Sequence, residues 1–139
     1  MSKSTSLICI AGVALALTSP VAAQQNLPVT TSQTQGIKRT PLQKIEVPGT
    51  DYEIVFGMAE FPPNMKIGRH THPGAVLAYM IDGELILSID GQGERAYKTG
   101  ESLQVPGGAI HDERSGDKPA KVIAVYVVPK GTPLATPIK

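Results

Sequence analysis

The chain carries three histidines in its 139 residues, and their positions are the first sign of chemistry. His70 and His72 stand two apart in the stretch Gly68-Arg69-His70-Thr71-His72-Pro73-Gly74-Ala75-Val76. Successive side chains of an extended segment alternate faces, so imidazoles at this spacing lie side by side. His111 ends a second Gly/Pro-rich stretch that begins at Gly100. Neutral imidazole is a ligand for Zn, Cu, Fe and Ni, and three of them leave coordination positions open for water, oxygen or a substrate. A histidine pair on a strand is also often no more than a wet surface, and its spacing alone leaves that reading open.

The elements that must position these residues read as short strands. Leu42 to Val47 ends at Pro48-Gly49, and Tyr52 to Phe61 ends at Pro62-Pro63. Ile67 to His72, Val76 to Ile81, Glu84 to Ile89, Arg95 to Lys98, Leu103 to Val105, Ile110 to Arg114 and Val122 to Val128 follow. Asp82-Gly83 and Asp90-Gly91 are the strongest hairpin signals, and turn signals recur about every 8 to 12 residues with no helical period between them. Leu85, Leu87 and Ile89 alternate onto one face. The pattern predicts an all-β sandwich or small barrel. The end of the chain, with Pro129, Pro133 and Pro137, is no helix and is expected to lie extended along the surface or on a neighbouring subunit.

The start reads differently. A polar lead with Lys3 precedes an apolar run from Leu7 to Leu17, then Pro20 and the small residues Val21-Ala22-Ala23. That succession predicts a secretory signal peptide over residues 1–23, cleaved near Ala23, and a periplasmic or secreted product. A buried helix or membrane anchor fits the short run less well, so no stable membrane anchor is expected. Residues 24–36, rich in Gln, Thr and Ser, read as a disordered lead, and residues 37–139 as a single domain with a Pro-rich tail. Cleavage removes Lys3 and Cys9, so the remaining basic residues balance the 12 acidic ones. That balance offers no basic face for nucleic acid. Without cysteine the mature chain has no disulfide, thiolate ligand or cysteine nucleophile, and its stability rests on packing.

Taken together, the two histidine stretches resemble the cupin superfamily. Its first motif runs glycine, five residues, His-x-His, three or four residues, glutamate, six residues, glycine. The second runs glycine, five residues, Pro-x-Gly, two residues, histidine, three residues, asparagine. His70, His72 and Gly83 fall at the first spacing, and Gly100, Pro106, Gly108 and His111 at the second. The resemblance spans roughly Ile37 to Val128 and is strongest to small single-domain bacterial cupins that carry an export signal. It implies a double-stranded β-helix, or jelly-roll barrel, with His111 facing the other two histidines at the barrel mouth. It also implies a small-molecule ligand and, at this size, a homodimer.

Three positions depart from the pattern. Asn64 replaces the opening glycine, and Asn tolerates the left-handed backbone such a turn needs. Ser115 replaces the closing asparagine, a change expected to matter little. Val76 stands where the family carries a glutamate ligand, and valine binds no metal. The resemblance therefore implies a three-histidine site for a divalent transition metal (Fe, Mn, Zn, Cu or Ni) and a small-molecule dioxygenase or other oxidoreductase. A non-enzymatic periplasmic binder and a metal-free isomerase using one histidine as base are the alternatives. Strand alternation makes Val76, Met80 and Gln104 candidate walls of the substrate pocket. Glu113 and Glu60 are candidates for an extra carboxylate ligand, with a solvated edge charge as the plainer reading of each. Tyr79 and Tyr126 read as core or contact aromatics, and Arg69 as a solvated charge facing away from His70.

Overall fold

The computed structural model describes residues 36–139, and the expected leader and almost all of the lead lie outside them. The described residues form ten strands and no helix. These are β1 (Lys38–Glu46), β2 (Tyr52–Phe61), β3 (His70–Thr71), β4 (Ala75–Asp82) and β5 (Glu84–Ile89), then β6 (Gly93–Lys98), β7 (Ser102–Val105), β8 (His111–Ser115), β9 (Ala120–Pro129) and β10 (Thr136–Pro137). One five-stranded sheet has the order β1-β2-β9-β4-β7 and the other β10-β3-β8-β5-β6, so consecutive strands cross repeatedly from sheet to sheet. Every pairing is antiparallel. This is the all-β jelly roll that the two motifs imply.

Alternation accounts for the packing. Leu85, Leu87 and Ile89 on β5 point inward, as do Val76 and Met80 on β4 and Val122 and Ala124 on β9, and together they fill the space between the sheets. Burying such side chains stabilises the fold by about 25 cal/mol per Å² of apolar surface removed from water, the main stabilising term in a chain without disulfides.

Two strands differ from expectation in ways that bear on the site. β1 begins four residues before Leu42, because Pro41 interrupts nothing. It sits on an edge strand where the register slips between Pro41 and Gln43, a place where the missing N–H is harmless. The expected strand Ile67 to His72 shrinks to His70–Thr71. Gly68 lies at φ +91, outside strand geometry, and its N–H donates to Oδ1 of Asp112 at 2.9 Å instead of to a ladder. The proline-rich tail is extended, as expected, but β10 pairs with β3 of its own chain and returns to the histidines.

The departures from the family pattern are also structural. Asn64 holds φ +54, the left-handed backbone expected of it. Ser115 matters more than expected: it is buried, its hydroxyl donates to the Pro62 carbonyl at 2.6 Å, and it accepts the Met65 N–H at 2.9 Å. The hydroxyl thus ties β8 to the turn that leads into the histidine segment.

Candidate metal centre

His70 and His111 face each other as cross-strand partners of β3 and β8. His72 is the first residue beyond β3, and the turn after it runs hard against β9. A Cβ on Gly74 would lie 1.8 Å from the Val127 carbonyl oxygen, so only glycine permits that approach. All three histidines are buried, and one ring nitrogen from each lies within 4.8 Å of the others. Ring centroids are 4.9 Å apart for His70 and His72, 4.1 Å for His70 and His111, and 4.8 Å for His72 and His111.

In each ring Nδ1 is committed to a backbone carbonyl. His70 meets Gly68 O at 2.8 Å, His111 meets Ala109 O at 2.9 Å, and His72 meets Leu134 O at 2.6 Å. A carbonyl only accepts, so Nδ1 carries the proton and Nε2 keeps its lone pair. This is the tautomer of metal-bound histidine, oriented by outer partners. Nε2 of His111 is buried and without a hydrogen-bond partner, an arrangement that costs stability unless something binds it. Burial pushes His72 down to about 4, against the opposing pull of its bond to Leu134. The same cause lowers His70 and His111, so the trio is neutral at ordinary pH. A neutral, convergent and partly orphaned nitrogen set fits a transition metal.

His70 and His72 open onto a cavity of about 330 Å³ between the sheets. Its walls include Phe61, Val76, Ala78, Leu103 and Val122, with the tail residues Pro133 to Ala135 along one side. Val76, where the family pattern has its glutamate, is buried and lines this space, and the group of convergent ligands among the described residues contains no carboxylate.

The other named residues separate. Met80 is 0% exposed and packs in the core, away from the cavity wall. Gln104 faces solvent, because Leu103 and Val105 take the inward phase of β7 and Leu103 is the residue at the wall. Glu60 also faces outward, between Lys38 at 3.2 Å and Lys121 at 3.5 Å, which hold its carboxyl below the ordinary range. Its neighbours Ala59 and Phe61 face the cavity, so alternation turns Glu60 away. Glu113 does line the cavity, and loss of solvent pushes its carboxyl up to about 7, the charge of Arg39 working against that rise. Arg69 pairs with Asp90. Tyr79 is exposed, whereas Tyr126 reaches the site, with its ring 5.4 Å from that of His72 and its hydroxyl pushed up to about 12 by burial.

A double-stranded β-helix with three inward histidines at one mouth defines the class: a small barrel with a metal-type centre. The Cupin domain family model matches residues 57–126, half of the chain, and the chain belongs to the cupins. No curated protein matches it. Among solved structures it is similar to a DMSP lyase from Ruegeria pomeroyi, with 18% identity, TM-score 0.61, and coverage of 73% of this chain and 51% of that one. It is similar to a cupin 2 conserved barrel domain protein from Leptotrichia buccalis, with 24% identity, TM-score 0.56, and coverage of 71% and 44%. A third is a polyketide cyclase from Streptomyces resistomycificus, with 19% identity, TM-score 0.57, and coverage of 76% and 72%. The chain thus spans about half the length of the first two, and at these identities the likeness is one of fold.

Proposed function

We propose that this cupin is a metal-dependent enzyme acting on a small organic molecule, and within that class a dioxygenase. The observation that carries the proposal is the shared tautomer: three buried imidazoles, each with Nδ1 tied to a carbonyl, present three free nitrogens to one another. His70, His72 and His111 would hold a divalent transition metal, which supplies Lewis acidity and, for the redox-active ions, a means of engaging O2. Val76 withholds the carboxylate that would otherwise offset the ion's charge, a setting that favours anionic substrates and those with two oxygen donors. The walls are largely apolar, and tail residues Pro133 to Ala135 lie along one side.

Glu113 favours a second reading, non-redox acid–base chemistry at the same centre. It places a carboxyl group in the cavity wall, in position to exchange a proton with a bound molecule. The leader expected over residues 1–23 would carry the chain out of the cytoplasm. It lacks a twin-arginine pair, so the chain would fold and acquire metal after export, where the affinity order favours Cu and Zn.

Metal analysis of the protein isolated from the periplasm tests the class. About one ion per chain is expected, and less than about a tenth, with no gain on adding Fe(II), Mn(II) or Zn(II), overturns the reading. Oxygen uptake across thiols, diketones and phenols then separates the dioxygenase from the acid–base enzyme.

A further inference from the structure

Arg39 enters the cavity wall from β1, the edge strand, opposite Ala59 of β2, which lines the same space. Its Nη1 is buried and has no hydrogen-bond partner. None of the ion pairs among the described residues involves it, although Arg69 and Arg114 each have a carboxylate. A guanidinium cannot shed its proton to escape burial, so a buried donor of this kind costs on the order of 1–3 kcal/mol while it goes unmet. His70, His72, Glu113 and Tyr126 line the same cavity, so Arg39 shares one space with two of the histidines and with one carboxyl group. Much of the remaining wall is apolar, with Phe61, Ala78, Val122 and Ala124 among its residues.

We infer that Arg39 is the anchor for a small carboxylate with an apolar body, the acid group seated on the guanidinium and the rest of the molecule reaching toward the histidines. A planar fork of N–H donors matches a carboxylate in two parallel bonds. Arg39 is the cation of this wall without an ion pair, Arg69 being held by Asp90, and Glu113 adds a carboxyl group to the same wall, so a singly charged acid fits better than a doubly charged phosphate monoester. At about 330 Å³ the cavity lies at the small end of ligand sites, which limits the body to metabolite size. The inference rests on reading this cavity as a substrate site, and it is independent of which metal the histidines hold.

The test titrates hexanoate and hexanamide into the full chain at pH 6 by calorimetry, with the protein stripped by chelator and again after loading with Zn(II). Hexanoate is expected to bind more tightly than hexanamide. Arg39→Gln should weaken hexanoate by about tenfold or more, leave hexanamide unchanged, and Arg39→Lys should fall between, since it keeps the charge and loses the fork. Equal affinity of the native protein for the two probes, or no binding of either, overturns the inference even if Arg39→Gln does not fold. So does hexanoate binding that a folded Arg39→Gln variant leaves intact. If Zn(II) fails to bind while Arg39-dependent hexanoate binding persists, the metal reading falls and the anchor stands. If Zn(II) binds while hexanoate is indifferent to Arg39, the anchor falls alone.

Discussion

His70 and His111 are oriented by carbonyls two residues back in their own segments, whereas His72 is oriented by Leu134, 62 residues away in the tail. The first two need only their local turns and the β3–β8 pairing, and so form with the barrel itself. The third is set only when the chain's last segment has returned and β10 has paired with β3. Two-thirds of the ligand set is therefore local and one-third depends on a remote strap. The metal site should accordingly separate into a part inseparable from the fold and a part that can be loosened while the fold survives.

The largest break comes from the local part. His111→Ala removes a buried candidate ligand whose opposite neighbour is His70, and metal content should fall to background. The loss of affinity should exceed the roughly 10–100-fold typical of outer-shell changes. Equilibrium dialysis with Zn(II) checks it, and near-native affinity would mean that the trio is not the ligand set.

Next in size is the response to acid. His72 titrates near 6.5 when unfolded and at about 4 in the folded chain. Above pH 6.5 both states hold it neutral and it contributes nothing. As pH falls from 6.5 to 4 the unfolded chain takes up the proton first, so the metal-free protein should lose up to about 3 kcal/mol from this group. Lowered values at His70 and His111 act in the same sense. Glu113 opposes them. Its carboxyl moves from 4.5 to about 7 on folding, so the unfolded chain ionises first and stability falls as pH rises through that window. The two slopes partly cancel between pH 4.5 and 6.5. Glu113→Gln removes one of them, and its stability relative to the native chain should grow from pH 4.5 to 7 in urea titrations. A constant difference would show that Glu113 ionises freely.

The contrast between local and remote holds also for what the sequence reveals. The histidine positions and the barrel are legible because both are written in short-range patterns: a His-x-His on a strand, a Pro-x-Gly before His111, and Asp-Gly turns. Val76 is legible for the same reason. Arg39 is not, because the first strand is expected to begin only at Leu42, and the edge position with its register slip is what lets the strand run on through Pro41 to Lys38. Leu134 is not legible either, since its contribution is a backbone carbonyl that any residue could offer. Met80 and Gln104 show how far alternation reaches. It sets the inward phase of a strand once the register is known, but not which inward residue lies at the depth of the cavity.

Removing Leu134 to Lys139 tests the remote part directly. The truncated chain loses the acceptor for His72 and the short β10, while both five-membered sheets keep their long strands. Metal affinity should fall by about 10–100-fold with the melting temperature little changed. Collapse of the fold would contradict the idea that the tail is a strap on a finished barrel.

The smallest effect is expected at Asp112, the outer support of a local ligand. Its Oδ1 accepts the Gly68 N–H at 2.9 Å, and Gly68 in turn presents the carbonyl that orients His70. Its other oxygen pairs with Lys66 at 3.0 Å, a contact exposed at its lysine end. Asp112→Ala removes the bond to Gly68 but leaves the glycine in its turn and the carbonyl still two residues from its histidine. Zn(II) affinity should therefore fall by less than the truncation causes, about tenfold at most. If Asp112→Ala costs more affinity than losing the tail, His70 is the weakly held ligand and the order of local over remote is reversed. Measuring both variants in one dialysis series decides which end of the chain sets the site.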